Sequence, residues 1–166
     1  MKLYLMRHGP AEDRADSGID ADRALSMAGR ERVRNVARLL AEAEEQPLYV
    51  IASPLVRAVQ TAEIVAIETN LGGRRGTVDI RHELAPGGDL TRLARAVAHD
   101  GKRRVMFVGH EPDMSAAAAQ LLGEFSRAFE KAMVVGARLA DGGRTGLRFV
   151  LDPKALRFDP DLRSTP

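Results

Sequence analysis

The chemistry of this chain begins where an apolar run ends in a histidine. Leu3 to Met6 is followed at once by Arg7-His8-Gly9. A neutral imidazole can attack phosphorus and carry the phosphoryl group, splitting one hard displacement into two easier ones. Arg7 brings a planar fork of donors that suits phosphate oxygens better than an ammonium would. Gly9 is expected to let the chain turn sharply with no β-carbon beside a ligand. The pattern returns at Val105 to Val108, which Gly109-His110 follows. A second imidazole there can donate a hydrogen bond to a transferring phosphoryl group, whose charge calls for fixed donors. Read singly, Arg7-His8 also fits a surface pair at a strand end, and His110 a loop residue capping the next helix.

Two further side chains fit the same chemistry. Arg57 falls in the first turn of a helix announced by Ser53-Pro54, with Ser53 as the N-cap and proline at the first helical position. An arginine there opposes the macrodipole, so an anion bound at the helix N-terminus would give it a purpose. By itself it reads as one solvated arginine among many. Glu83, in His82-Glu83-Leu84-Ala85-Pro86-Gly87-Gly88, could protonate a leaving group if its pKa were raised. Its plain reading is a solvated loop glutamate, and His82 and His99 read as surface residues. No histidine or carboxylate cluster has metal-ligand spacing, and no glycine-rich nucleotide loop is present, so neither metal nor cofactor is expected.

The elements that would position these residues alternate along the chain. Leu3–Met6 reads as a strand buried on both faces, and Glu12 to Asp22 as a polar loop. Ser26 is an N-cap for a helix to Ala43, with Val33, Val36, Ala37 and Leu40 at helical spacing. Pro47 ends that pattern and Leu48–Ala52 reads as a strand. The Ser53-Pro54 helix should run to about Asn70 and stop at Gly72-Gly73. Thr77–Ile80 gives a weaker strand signal, and Asp89 caps a helix through Leu90, Leu93, Ala94 and Val97. Val105–Val108 is the fourth strand, before an alanine-rich helix from Met114 to Leu122. Met133–Leu139 and Leu147–Leu151 read as a hairpin turned by Asp141-Gly142-Gly143. From Asp152 the chain reads as a tail.

Strands alternating with helices predict an α/β fold, a three-layer α/β/α sandwich with a mostly parallel central sheet and an antiparallel element. The expected organisation is one domain over residues 1–166, with 152–166 as its C-terminal tail. In such sheets ligands bind beyond the carboxyl ends of the strands. His8, Ser53, Glu83 and His110 all fall just past a strand.

Composition bounds the rest. The chain has 166 residues, 45% of them hydrophobic, enough for one core. Its 25 Lys and Arg against 23 Asp and Glu leave +2, with few aromatics, so no nucleic-acid partner is expected. No segment has the length of a membrane span, and the N-terminus does not read as a signal peptide. Without cysteine there is no disulfide or thiolate chemistry, and a cytoplasmic setting suits the chain.

Taken together, Met6-Arg7-His8-Gly9, the stretch from Ser53 to Ala62 around Arg57, and Val108-Gly109-His110 resemble the histidine phosphatase superfamily, also called phosphoglycerate mutase-like. Order, spacing and strand context agree over residues 2 to about 123. The resemblance implies that His8 is the nucleophile and that Arg7, Arg57 and His110 complete a phosphate pocket, with Gly9 and Ser53 lining it. Glu83 stands where mutase-like relatives carry their general acid. Within the superfamily the chain is most similar to phosphohistidine phosphatases of the SixA type. That similarity rests on Arg7 to Ala11, Asp20-x-x-Arg23-x-Leu25-Ser26, Glu83 to Asp89, and Gly109-His110-Glu111-Pro112. It implies a metal-independent enzyme acting through phospho-His8 on phosphohistidine of a phosphorylated protein, such as a histidine phosphotransfer domain. The alternatives are a general phosphatase for small phosphomonoesters and a non-catalytic phosphoprotein-binding module. Only about a dozen residues separate Asn70 from Glu83, too few for a large lid, so a shallow, open groove is expected.

Overall fold

In the computed structural model, which describes residues 1–123, 125–139 and 145–159, alternate side chains of the central strands divide between two cores. Tyr4 and Met6 of β1 (Lys2–Arg7) face α1 (Met27–Glu42) and α2 (Val56–Glu68), together with Val50, Met106 and Val108. Leu3 and Leu5 face the opposite way, toward α3 (Leu90–His99) and α4 (Asp113–Leu122), with Ile51, Val105 and Phe107. Strand side chains alternate with period two, so one apolar run feeds both faces. The result is a sheet between two helical layers.

The sheet has seven strands in the order β3-β2-β4-β1-β5-β6-β7. β2 (Tyr49–Ala52), β3 (Thr77–Ile80) and β4 (Arg104–Gly109) join β1 in a parallel half. β5 (Val134–Arg138), β6 (Gly146–Asp152) and β7 (Arg157–Asp159) extend it by antiparallel pairing. β7 lies within the segment expected to be a tail: after a turn held by Asp152, the chain returns along β6. The hairpin signal Asp141-Gly142-Gly143 lies outside the described residues, but β5 and β6 pair as it requires.

Helix ends show where residue type decides. Ser26 accepts from the Gly29 N–H and Asp89 from the Arg92 N–H, as their capping chemistry predicts. Two expectations are corrected. Leu55, not Ser53, occupies the N-cap position of α2, and no side chain among the described residues caps that end. The same helix stops before Gly72-Gly73. Asn70 takes a left-handed φ of 50°, its N–H bonds the Ile67 carbonyl, and Leu71 N–H bonds Ala66. That is the Schellman arrangement, whose left-handed position is usually glycine and sometimes asparagine. Between α2 and the 3-10 turn His82–Leu84 the chain forms only the short turn Gly72–Arg74 and the edge strand β3.

Candidate active site

The parallel half of the sheet sets the order of the candidate residues in space. β1 and β4 pair with Arg7 opposite Gly109, and the His8 N–H continues the ladder to the Gly109 carbonyl at 3.0 Å. His8 and His110 therefore leave adjacent strands at the same level, and their rings stand 5.0 Å apart, centre to centre. β2 pairs with β4 on the other side, with Ala52 opposite Val108, and the Ser53 N–H bonds the Val108 carbonyl at 3.0 Å. Ser53 Oγ then meets His110 Nε2 at 2.8 Å. Arg57, on the first turn of α2, is buried with the two histidines.

Gly9 has a different role from the expected sharp turn. It does not adopt a positive φ. A β-carbon there would come within 2.6 Å of Val33 Cγ2, so glycine is needed for the close approach of the strand end to α1. Its N–H donates to Thr61 Oγ1 at 3.1 Å, and Thr61 in turn donates to the Arg57 carbonyl at 2.7 Å. The segment after His8 is thus tied to the helix that carries Arg57.

Hydrogen bonding fixes the proton on His8 and favours one tautomer of His110. His8 Nδ1 lies 2.7 Å from the Gly9 carbonyl oxygen. That oxygen only accepts, so Nδ1 carries the proton and Nε2 keeps its lone pair. At His110, Ser53 Oγ already accepts from the Leu55 N–H at 3.3 Å. Its own proton is best used toward His110 Nε2, which leaves Nδ1–H as the free donor of that ring. Among the described residues His110 Nδ1 finds no partner, nor do Arg7 Nε and Arg57 Nε, and all three atoms are buried. Buried polar groups are normally satisfied, and three unsatisfied donors on three neighbouring residues define a place for an acceptor.

Electrostatics keep the rings neutral. His8 is 6% exposed, and burial is the main cause that lowers its pKa to about 3. The Gly9 hydrogen bond opposes that shift, while the charges of His110, Arg57 and Arg7 add to it. His110 is lowered to about 4, by burial first and then by Arg57. A neutral imidazole with an unprotonated Nε2 is the nucleophilic form. The strand end that carries it is covered, not exposed.

Arg7 is half-buried, and its Nη1 donates to the Phe129 carbonyl at 2.7 Å. The Phe129 N–H donates to Glu111 Oε1 at 2.7 Å, which also accepts from Ser115. A single residue of the loop before β5, Phe129, therefore connects the residue after His110 to Arg7 through its backbone N–H and carbonyl. Glu83 is exposed in the 3-10 turn His82–Leu84, at the carboxyl end of β3, which two strands separate from β1. Its neighbour Leu84 reaches over Gly109, whose β-carbon would lie 3.5 Å from the Leu84 carbonyl oxygen. Glu83 thus belongs to the rim, apart from the buried group. Sequence reading missed Asp20, Thr61 and Glu111 as parts of this assembly.

Comparison with known proteins agrees with the geometry. Residues 3–84 match the model of the histidine phosphatase superfamily, branch 1. An uncharacterised protein of Picosynechococcus is 39% identical over 119 residues, covering 69% of this chain and 68% of that protein. The phosphohistidine phosphatase SixA of Escherichia coli is 27% identical, over 95% of this chain and 98% of its own length. The solved structure of the protein histidine phosphatase SixA complexed with tungstate superimposes with a TM-score of 0.85 at 27% identity, covering 95% of this chain and all of that one. Likeness to SixA in sequence and fold thus runs along nearly the whole length of the chain, which belongs to the histidine phosphatase superfamily and is a phosphatase.

Proposed function

We propose that this phosphatase removes phosphate from phosphohistidine on a protein, through a phospho-His8 intermediate. The observation that carries the mechanism is the Gly9 carbonyl on His8 Nδ1, which leaves Nε2 unprotonated in a buried, neutral ring. Nε2 attacks phosphorus, the bond from phosphorus to the leaving nitrogen breaks, and that nitrogen takes up a proton. Arg7, Arg57 and His110 Nδ1–H face the charge on the equatorial oxygens. Water then attacks phospho-His8, releasing inorganic phosphate and restoring the imidazole. Fixed guanidinium and imidazole donors carry the charge stabilisation, so the step needs no Lewis acid. Gly9 and Ser53 support the pocket by fixing the two rings.

Two features support a protein-borne phosphohistidine as substrate. The chain between α2 and the His82–Leu84 turn adds only a short turn and an edge strand, leaving no inserted segment to roof the site. The likeness to SixA runs over nearly the whole of both chains. A protonated imidazole is also a good leaving group, so the exposed Glu83 matters less as an acid than it would for a phosphoester. The test compares kcat/KM on a phosphorylated histidine phosphotransfer domain with kcat/KM on a panel of sugar and glycerate phosphates. The protein substrate should win, and Glu83→Gln should lower phosphoester hydrolysis more than phosphohistidine hydrolysis. A small phosphoester preferred by a wide margin makes the chain a general phosphatase. Phosphoprotein binding without turnover makes it a binding module.

A further inference from the structure

Arg57 is 5% exposed, yet its counter-ion is an exposed residue from a distant loop. Its Nη1 donates to the Asp20 backbone carbonyl at 2.8 Å and its Nη2 to Asp20 Oδ2 at 3.0 Å. The other carboxylate oxygen, Oδ1, accepts from Arg23 Nε at 2.8 Å, and Arg23 Nη1 reaches the Glu12 carbonyl at 3.0 Å. Asp20 and Arg23 begin and follow the 3-10 turn Asp20–Asp22, whose three-residue pitch brings both side chains to one side. The loop is also anchored to α2, because the Leu25 N–H donates to Gln60 Oε1 at 2.8 Å. The Asp20-x-x-Arg23 spacing thereby gains a physical role.

A guanidinium has five N–H donors in one plane. Asp20 takes one from each terminal nitrogen, leaving three, among them the buried Nε–H, which has no acceptor among the described residues. Nε and a neighbouring terminal N–H form the bidentate edge suited to a phosphoryl group. An ion pair with one exposed partner contributes little to stability, and the Asp20 side chain is 67% exposed. Orientation is the service left for it. We propose that Asp20 is a positioning residue: its carboxylate and its own carbonyl hold one edge of Arg57 so that the Nε edge meets the phosphoryl group. This rests on the reading that Arg57 binds phosphate. The backbone bond persists when the side chain is changed, so the loss should be partial.

Vanadate inhibition and kcat/KM on p-nitrophenyl phosphate test this in the full chain, with thermal unfolding as a control. Asp20→Ala should weaken vanadate and lower kcat/KM by ~10- to 100-fold, the scale expected when a fixed group is slightly misplaced. Its thermal midpoint should not move. Asp20→Asn keeps an acceptor for Nη2 and should recover most of the loss. In an Arg57→Ala background, Asp20→Ala should cost nothing further. Tighter vanadate binding by Asp20→Ala overturns the proposal and makes Asp20 a competitor for the phosphate's place. An unchanged Asp20→Ala beside a crippled Arg57→Ala overturns it while leaving the phosphate site intact. Asn as damaging as Ala makes charge, not geometry, the cause. A full Asp20→Ala cost in the Arg57→Ala background means Asp20 acts elsewhere. If Arg57→Ala itself leaves vanadate unchanged, the phosphate reading of Arg57 fails first.

Discussion

The two ends of the central sheet each gather charged and polar side chains in a largely covered place, and they treat them in opposite ways. At the amino end, Glu45 is the hub. Tyr4 Oη donates to it at 2.7 Å, Lys2 Nζ at 3.1 Å, and Arg148 grips both carboxylate oxygens. Burial alone would raise the Glu45 pKa, but the bonds from Arg148, Tyr4 and Lys2 overcome it and hold it at about 2. At the carboxyl end the donors outnumber the acceptors. Of the four buried side-chain nitrogens without a partner among the described residues, Arg7 Nε, Arg57 Nε and His110 Nδ1 lie there, and only Arg104 Nε lies at the amino end. An unmade buried hydrogen bond costs about 1–3 kcal/mol. One end thus pairs all but one of these groups internally and serves stability, while the other is left open for a ligand.

The most severe way to break this contrast is His8→Ala. It should reduce turnover by ~10³-fold or more, and labelled phosphate trapped by rapid quench on the wild type should be absent from the variant. Phosphate trapped on any other residue would sink the covalent reading. Next is Arg57→Lys, which keeps the charge but loses the fork. It should cost about 10²-fold in kcat/KM, the usual effect of removing one fixed donor. Near wild-type kinetics would put Arg57 outside the phosphate site.

Glu45→Gln probes the saturated end and should reverse the pattern. Stability should fall by roughly 1–3 kcal/mol in denaturant unfolding, because charged donors lose their acceptor. Activity per folded molecule should stay at the wild-type level. A loss of activity without a loss of stability would show that the two ends are not separate.

The smallest effect is a difference in pH window. Both active-site histidines have pKa values below the ordinary 6.5, so the unfolded chain takes up protons first as pH falls. Their contribution is complete above about 6.5 and is lost on acidification toward about 4 for His110 and 3 for His8. Glu45 contributes fully above its unfolded value near 4.5 and is lost toward about 2. Imidazole NMR should show both rings still neutral at pH 5, and Glu45→Gln should remove only the more acid part of the stability loss. His8 or His110 titrating near 6.5 would contradict the burial that the mechanism uses.

Legibility in the sequence followed the range of the interaction. Ser26 and Asp89 were readable as caps because each bonds a backbone N–H three residues on. Ser53 has the same chemistry before a proline, yet its hydroxyl is committed to His110, 57 residues away, and α2 starts later. The histidines and arginines were legible because strand ends and a helix start place them by local rules. Asp20 was not, since it sits in a polar loop and meets Arg57 only through tertiary docking of that loop on α2. Gly9 was expected to serve a sharp turn, and its constraint comes instead from Val33 on another element. β7 escaped for lack of signal: three residues, Arg157-Phe158-Asp159, show no useful periodicity and depend on β6 for their pairing.

The β1–β4 register has a consequence for how such an enzyme can change. Arg7 lies opposite Gly109, and the two histidines are the next residue on each strand. Their separation is set by a backbone ladder, a gauge that no rim side chain enters. Inserting or deleting one residue inside either strand would shift its whole alternation and turn buried side chains out of their core, so the strands are closed to length variation. The Glu12–Asp22 loop and the His82–Asp89 segment can change without moving the gauge, provided that Asp20 keeps its hold on Arg57. New substrates can be acquired by rewriting those borders while the reaction centre is inherited unchanged.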